Sequence, residues 1–123
     1  MKGIDVIVIP ASAKWIAAGA FSGLKDLRSV VFSLDSQLET IGVGCFRDGG
    51  LEEIRFPRSL VEIGEDAFQG CTNLKSAVFE EGSALQRVGK GAFAGTPLRP
   101  VDVNFPENVD VAKAFGLTAP EHQ

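Results

Sequence analysis

The stretch Leu51-Glu52-Glu53-Ile54-Arg55-Phe56-Pro57-Arg58-Ser59-Leu60-Val61-Glu62-Ile63-Gly64-Glu65-Asp66-Ala67-Phe68 decides how the whole chain is read. Ile54 and Phe56 alternate with Glu53, Arg55 and Pro57, the period-two pattern of a strand with one buried face. Pro57 has no backbone N–H and so ends the ladder. Leu60 and Ile63 turn inward again, and Gly64 permits a tight corner. Ala67-Phe68 fits a short helical or 3-10 piece that sends one aromatic ring inside, and Gly70 relaxes the backbone into the next turn. A unit of this size cannot bury its own apolar face, so it needs neighbours of its own kind.

Those neighbours are present. Displaced by 47 residues, the sequence matches itself without a gap. Ile7, Pro10, Ser12 and Ile16 fall on Ile54, Pro57, Ser59 and Ile63, and Ala20-Phe21 falls on Ala67-Phe68. Leu27, Val31 and Phe32 fall on Leu74, Val78 and Phe79; Leu38, Gly42, Gly44 and Phe46 fall on Leu85, Gly89, Gly91 and Phe93. The register divides into two related units, with coils opening at Ile4, Leu27, Leu51, Leu74 and Leu98. One unit reads L-x-x-I-x-F-P-x-S-L-x-x-I-G-x-x-A-F. The other loses the proline and gains two residues before its middle leucine, as in Phe32 to Leu38 and Phe79 to Leu85. The pattern predicts four coils and a degenerate fifth, stacked roughly 4.8 Å apart. Phe21, Phe46, Phe68 and Phe93 then form one internal ladder, and Ile9, Phe32, Phe56 and Phe79 another.

These units resemble the BspA-like, or treponemal-type, leucine-rich repeat, whose consensus runs near L-x-x-I-x-I-P-x-S-V-x-x-I-G-x-x-A-F-x-x-C. Leu51 to Cys71 follows it at nearly every fixed position, and the resemblance covers about residues 4–98. Three departures stand out: Cys45 where neighbouring copies carry Ala, the family cysteine surviving only as Cys71, and Ala17 at the corner where later coils carry Gly. The resemblance implies an α/β repeat, a right-handed leucine-rich-repeat solenoid with a parallel sheet and short helical or 3-10 turns. Family members occur on bacterial and protist surfaces, where some act as adhesins and others have no assigned role. The resemblance therefore implies a protein partner and a cell-surface or secreted location, without naming a ligand.

At the C-terminal end, Leu98-Arg99-Pro100-Val101-Asp102-Val103 begins as a fifth strand, and then the register fails. Phe105 to Gly116 reads as a short helix, with Pro106 and Glu107 suited to its start and Gly116 to its stop. Val111, Ala114 and Phe115 would share one face and cover the open end of the stack, as a solenoid edge requires. Residues 1–123 thus read as a single solenoid domain with a C-terminal helical cap over 99–117 and a disordered tail over 118–123. No matching cap precedes Ile4. The N-terminal end is expected to be open, either cut from a longer array or paired with a second copy in a homodimer.

Several function classes find no support. Hydrophobic residues make up 45% and charged residues 23%, an ordinary globular composition. A net charge of −4 without a basic run lacks the footprint that a phosphate backbone demands, so no nucleic-acid partner is expected. No stretch of about 18 apolar residues suggests membrane insertion. No secretory signal is visible from Met1 to Asp5, as would equally hold for a piece of a longer exported protein. His122, the only histidine, sits in the tail. Cys45 and Cys71 lack metal-ligand spacing; Cys45 is expected to pack in the core, with a disulfide to Cys71 as the alternative. Gly42-Val43-Gly44 and Gly89-Lys90-Gly91 recur at one repeat position, which makes them corners rather than phosphate loops. The acid pairs Glu52-Glu53, Glu65-Asp66 and Glu80-Glu81 fall on outward positions of separate coils. No enzyme, cofactor or metal site is expected.

The best candidate site is the outward face of the parallel sheet. One column reads Val8, Val31, Arg55, Val78 and Asp102, and its neighbour reads Val6, Ser29, Glu53, Ser76 and Pro100. Three outward valines around an Arg–Glu centre are more apolar than a solvated face needs, and such patches mark contacts. Against this, β-branched residues favour strands for their own reasons. The candidate partner-binding residues are Val8, Ser29, Val31, Glu53, Arg55, Ser76 and Val78. Trp15 takes the outward position held by Thr40, Glu62 and Arg87 in the later coils; with Ile4 and Ile7 it forms a candidate self-association surface, or else packs onto the N-terminal end. Two functions stay open: a non-catalytic protein-binding module within a surface adhesin, and a structural spacer or self-associating segment without a dedicated ligand.

Overall fold

Each coil contributes one long and one short strand. In the computed structural model, which describes residues 3–117, the long strands are β1 (Val6–Ile9), β3 (Ser29–Phe32), β5 (Glu53–Phe56) and β7 (Ser76–Phe79). They pair in parallel in the order β1-β3-β5-β7. The short strands β2 (Trp15–Ile16), β4 (Thr40–Ile41), β6 (Glu62–Ile63) and β8 (Arg87–Val88) form a second parallel sheet, β2-β4-β6-β8. The tail expected over 118–123, with His122, lies outside the described residues. The whole is a parallel solenoid of four coils.

The third side of each coil is the Ala-Phe segment. It folds as tight turns closed by i to i+3 bonds, such as Ala67 N–H to the Gly64 carbonyl at 3.3 Å and Ala92 N–H to the Gly89 carbonyl at 3.2 Å. A further backbone ladder joins these turns from coil to coil: the N–H groups of Phe21, Phe46 and Phe68 donate to the carbonyls of Cys45, Ala67 and Ala92 at 2.7–2.9 Å. This ladder holds the rings in register. Phe46, Phe68 and Phe93 stack with centroids 5.3 Å apart, and Phe21 extends the stack toward the N-terminal coil at 5.5 Å from Phe46. The second expected column is shorter than the repeat predicts. Phe56 and Phe79 stack at 4.6 Å, but Phe32 is only half-buried, because β3 pairs with β5 only through Ser29 and Val30. Leu27, Leu51 and Leu74 fill the coil openings and are fully buried; no polar or charged residue among those described is buried.

The corner glycines answer to a close approach. A Cβ on Gly64 would lie 2.6 Å from the backbone N of Val43, and one on Gly42 would lie 2.5 Å from the backbone N of Ala18. A Cβ on Gly89 would likewise run into the backbone N of Glu65.

The C-terminal end departs from the expected fifth strand. Residues Pro100–Asp102 form a 3-10 turn, which the Asp102 carboxylate closes by accepting from Arg99 N at 2.8 Å and from its guanidinium at 3.1 Å. The exposed Arg99–Asp102 pair holds the Asp102 carboxyl below its usual range. Pro100 and Asp102 therefore leave the outward columns that the register would have given them. A side chain closes the sheet instead. The Asn104 Oδ1 accepts from Phe79 N at 3.0 Å and its Nδ2 donates to Phe79 O at 2.7 Å, so one carboxamide stands in for the peptide group of a fifth strand.

The C-terminal helix α1 (Val111–Ala114) is shorter than predicted. It starts at an Asp110 cap rather than near Pro106, and Gly116 follows with a φ of 70°. Its Lys113 and Ala114 carbonyls accept from Gly91 and Phe93 N–H at 2.9 and 2.8 Å, taking the place of a next coil. Asn104→Ala should leave both polar groups of Phe79 unpaired at this edge and cost about 1–3 kcal/mol, read as a lower urea midpoint. A midpoint within error of the wild type would refute the capping role.

Candidate functional site

The outward face follows directly from strand alternation. The register brings Val6, Ser29, Glu53 and Ser76 into one column, pairs Val8 with Val31, and pairs Arg55 with Val78. Val8 and Val31 are exposed, at 64% and 47%, and Glu53 and Arg55 are exposed beside them. Ser29, Ser76 and Val78 are half-buried, so of the three valines expected around the Arg–Glu centre Val8 and Val31 are open and Val78 is not, while Val6 in the neighbouring column is exposed as well.

The face is not flat. A groove of about 570 Å³ lies over β5 and is lined by every candidate residue except Val8. Its rim adds Leu34, Arg58 and Glu80, none of which the strand pattern singled out. Coil length explains it. Coils 2 and 4 carry two extra residues at this corner, in Ser33–Ser36 and Glu80–Ser83, whereas coil 3 turns early at Pro57. Residues of the longer corners line the groove together with those of the short one, and Leu34 projects wholly into solvent. The two-residue length difference was visible in the repeat and was the available signal.

Charge within the groove is uneven. Arg58 donates to the Glu81 carbonyl at 3.0 Å and lies 4.0 Å from the Glu80 carboxylate. Arg55 and Glu53 make no ion pair and no side-chain hydrogen bond among the described residues, whereas the flanks carry inter-coil pairs: Arg28–Glu52 at 2.7 Å and Arg87–Glu62 at 3.3 Å. Such exposed pairs contribute at most about 1 kcal/mol each. The groove therefore offers one unpaired cation and one unpaired anion two residues apart on a rigid strand, with apolar contact on both sides.

Cys45 and Cys71 are both free and fully buried, so the disulfide alternative does not hold; they occupy different columns, Cys45 just before Phe46 and Cys71 three residues after Phe68. Burial pushes the Cys45 thiol up to about 12 and raises that of Cys71 as well, which keeps both protonated at neutral pH. The Cys71 Sγ donates to the Phe46 carbonyl at 3.0 Å. No cluster of three or more His, Cys, Asp or Glu among the described residues could hold a metal ion. Trp15 and Ile4 are exposed at the N-terminal edge, at 67% and 66%, with Trp15 in one column with Thr40. Ile7, on β1, is half-buried against the core. No described helix is long and apolar enough to cross a membrane.

Comparison with known proteins agrees with this geometry. Residues 2–115 match the family model described as a BspA type leucine rich repeat region, in six copies. The fold is similar to the crystal structure of the pneumococcal vaccine antigen PcpA, with a TM-score of 0.72 and 38% sequence identity. That likeness covers 75% of this chain and 22% of the PcpA chain, so the chain spans less than a quarter of that protein's length. No curated protein sequence matches the chain.

Proposed function

Because the chain belongs to the BspA-type leucine-rich repeat family, a family of non-enzymatic repeat modules, we propose that it recognises a protein partner through the groove on its outward sheet face. The observation that carries this reading is the groove itself. Strand preference alone would explain valines on a flat face. It does not explain a concavity in which Arg55 and Glu53 stand unpaired between Val31, Val78 and an exposed Leu34. The likeness to a pneumococcal vaccine antigen supports a cell-surface or secreted setting, and the proposal takes the chain as part of an adhesin, the role that some members of the family have. The same reading takes residues 1–123 as one domain with coils opening near 4, 27, 51, 74 and 98. It also takes the winding as right-handed, the hand that parallel crossovers nearly always adopt.

The test uses a panel of immobilised extracellular-matrix and cell-surface proteins. Changing Val31 and Val78 together to Glu should weaken binding to a panel member that the wild type holds by at least tenfold, about 1.4 kcal/mol, while unfolding stays cooperative. Undiminished binding in the double variant would remove the sheet face as the site.

The exposure of Trp15 and Ile4 on the N-terminal coil favours a second reading, self-association into a homodimer. Light scattering over a range of concentrations should then show a dimer that Trp15→Ser dissociates. A wild type that stays monomeric throughout would end that reading.

A further inference from the structure

The corner that follows the inward residue of each short strand (Ile16, Ile41, Ile63 and Val88) is where successive coils come closest. The N–H groups of Gly42, Gly64 and Gly89 donate to the carbonyls of Ile16, Ile41 and Ile63 in the preceding coil at 2.9, 2.7 and 2.7 Å. These bonds draw each corner Cα onto the backbone behind it. A Cβ would meet that backbone at 2.5 Å on Gly42 (Ala18 N) and at 2.6 Å on Gly64 (Val43 N), closer than real Cβ contacts come. Stacking and a side chain are incompatible at this point.

The first coil carries Ala17 at this position. At the coil opening a glycine is present: Gly3 is the counterpart of Gly50, on which a Cβ would run into the Lys25 carbonyl of the coil behind, although a Cβ on Gly3 itself would run into the Asp26 carboxylate. At the corner the obstacle is one methyl group. We propose that the Ala17 methyl closes the N-terminal edge to a further coil of this family, so that coil stacking starts here whatever sequence precedes it. Asn104 and α1 already close the opposite edge. In-register coil stacking at either end is then barred, and the N-terminal edge is left to contacts that keep a partner's backbone away from Ala17. The inference is independent of which partner the sheet face binds.

The test extends the full chain by a second copy of residues 27–50 placed directly before Ile4, which reproduces the natural Gly50–Leu51 junction. Two extended chains are compared by hydrogen–deuterium exchange, one keeping Ala17 and one carrying Ala17→Gly. The amides of the added coil should exchange at least about tenfold more slowly in the Ala17→Gly chain, and at unfolded rates in the chain that keeps Ala17. Equal exchange in the two, whether protected or unprotected, would overturn the proposal.

Discussion

Phe68→Ala is expected to lower stability by about 3–5 kcal/mol, a large part of the roughly 5–15 kcal/mol that holds a small domain together. The Phe68 ring is fully buried between Phe46 and Phe93, each 5.3 Å away, and meets Phe56 edge-on at 5.7 Å. Its removal opens a cavity in the middle of the stack, and the backbone ladder through Phe68 N–H keeps the neighbouring coils from collapsing into it. Phe21 provides the comparison. It is half-buried and stacks on Phe46 alone, so Phe21→Ala should cost clearly less. Urea titrations of the two variants measure the gradient. Equal losses would mean that the rings do not act as a stack in which each coil depends on its immediate neighbours.

Gly64→Ala is expected to cost about 3 kcal/mol or more, although it adds a single methyl group. The conflict is with backbone, at 2.6 Å from Val43 N and 2.8 Å from Gly42 C, so no side-chain rotation relieves it. Relief requires lengthening the 2.7 Å bond from Gly64 N to Ile41 O, and with it the pairing of β6 on β4. Ala17→Gly, at the same corner of the coil with no described coil behind it, should change stability by no more than about 1 kcal/mol, the ordinary entropic cost of glycine. A Gly64→Ala protein with a near wild-type thermal midpoint would refute the close-approach account of the corner.

The inward half of this fold was legible because it rests on residue type at fixed spacing. Leu51, Ile54, Phe56, Leu60, Ile63 and Phe68 recur in phase, and a buried position tolerates little else. The outward columns followed from period-two alternation alone. What the sequence hid depends on geometry between coils. Strands of two residues, such as Glu62–Ile63, are too short to show an alternation, so the second sheet was not read. The groove needs three coils of unequal corner length side by side, and no single unit shows it. The fifth strand failed for a local reason: the Asp102 carboxylate bonds back to Arg99 and Pro100 offers no N–H, so a 3-10 turn competes successfully with the ladder. The cap was legible as a need and not as a device, since neither the Asn104 carboxamide nor the shortness of α1 follows from helix signals.

The claim that recognition runs through the sheet face is tested most directly by blocking that face with a chemical group. Val31→Cys can be labelled with a bulky maleimide in the folded protein, because burial keeps Cys45 and Cys71 inaccessible and protonated. The same label on Trp15→Cys serves as the comparison on the N-terminal coil. Binding to the panel of matrix and cell-surface proteins should be abolished by the adduct at position 31 and retained with the adduct at position 15. Binding that survives the adduct at position 31 would contradict the account.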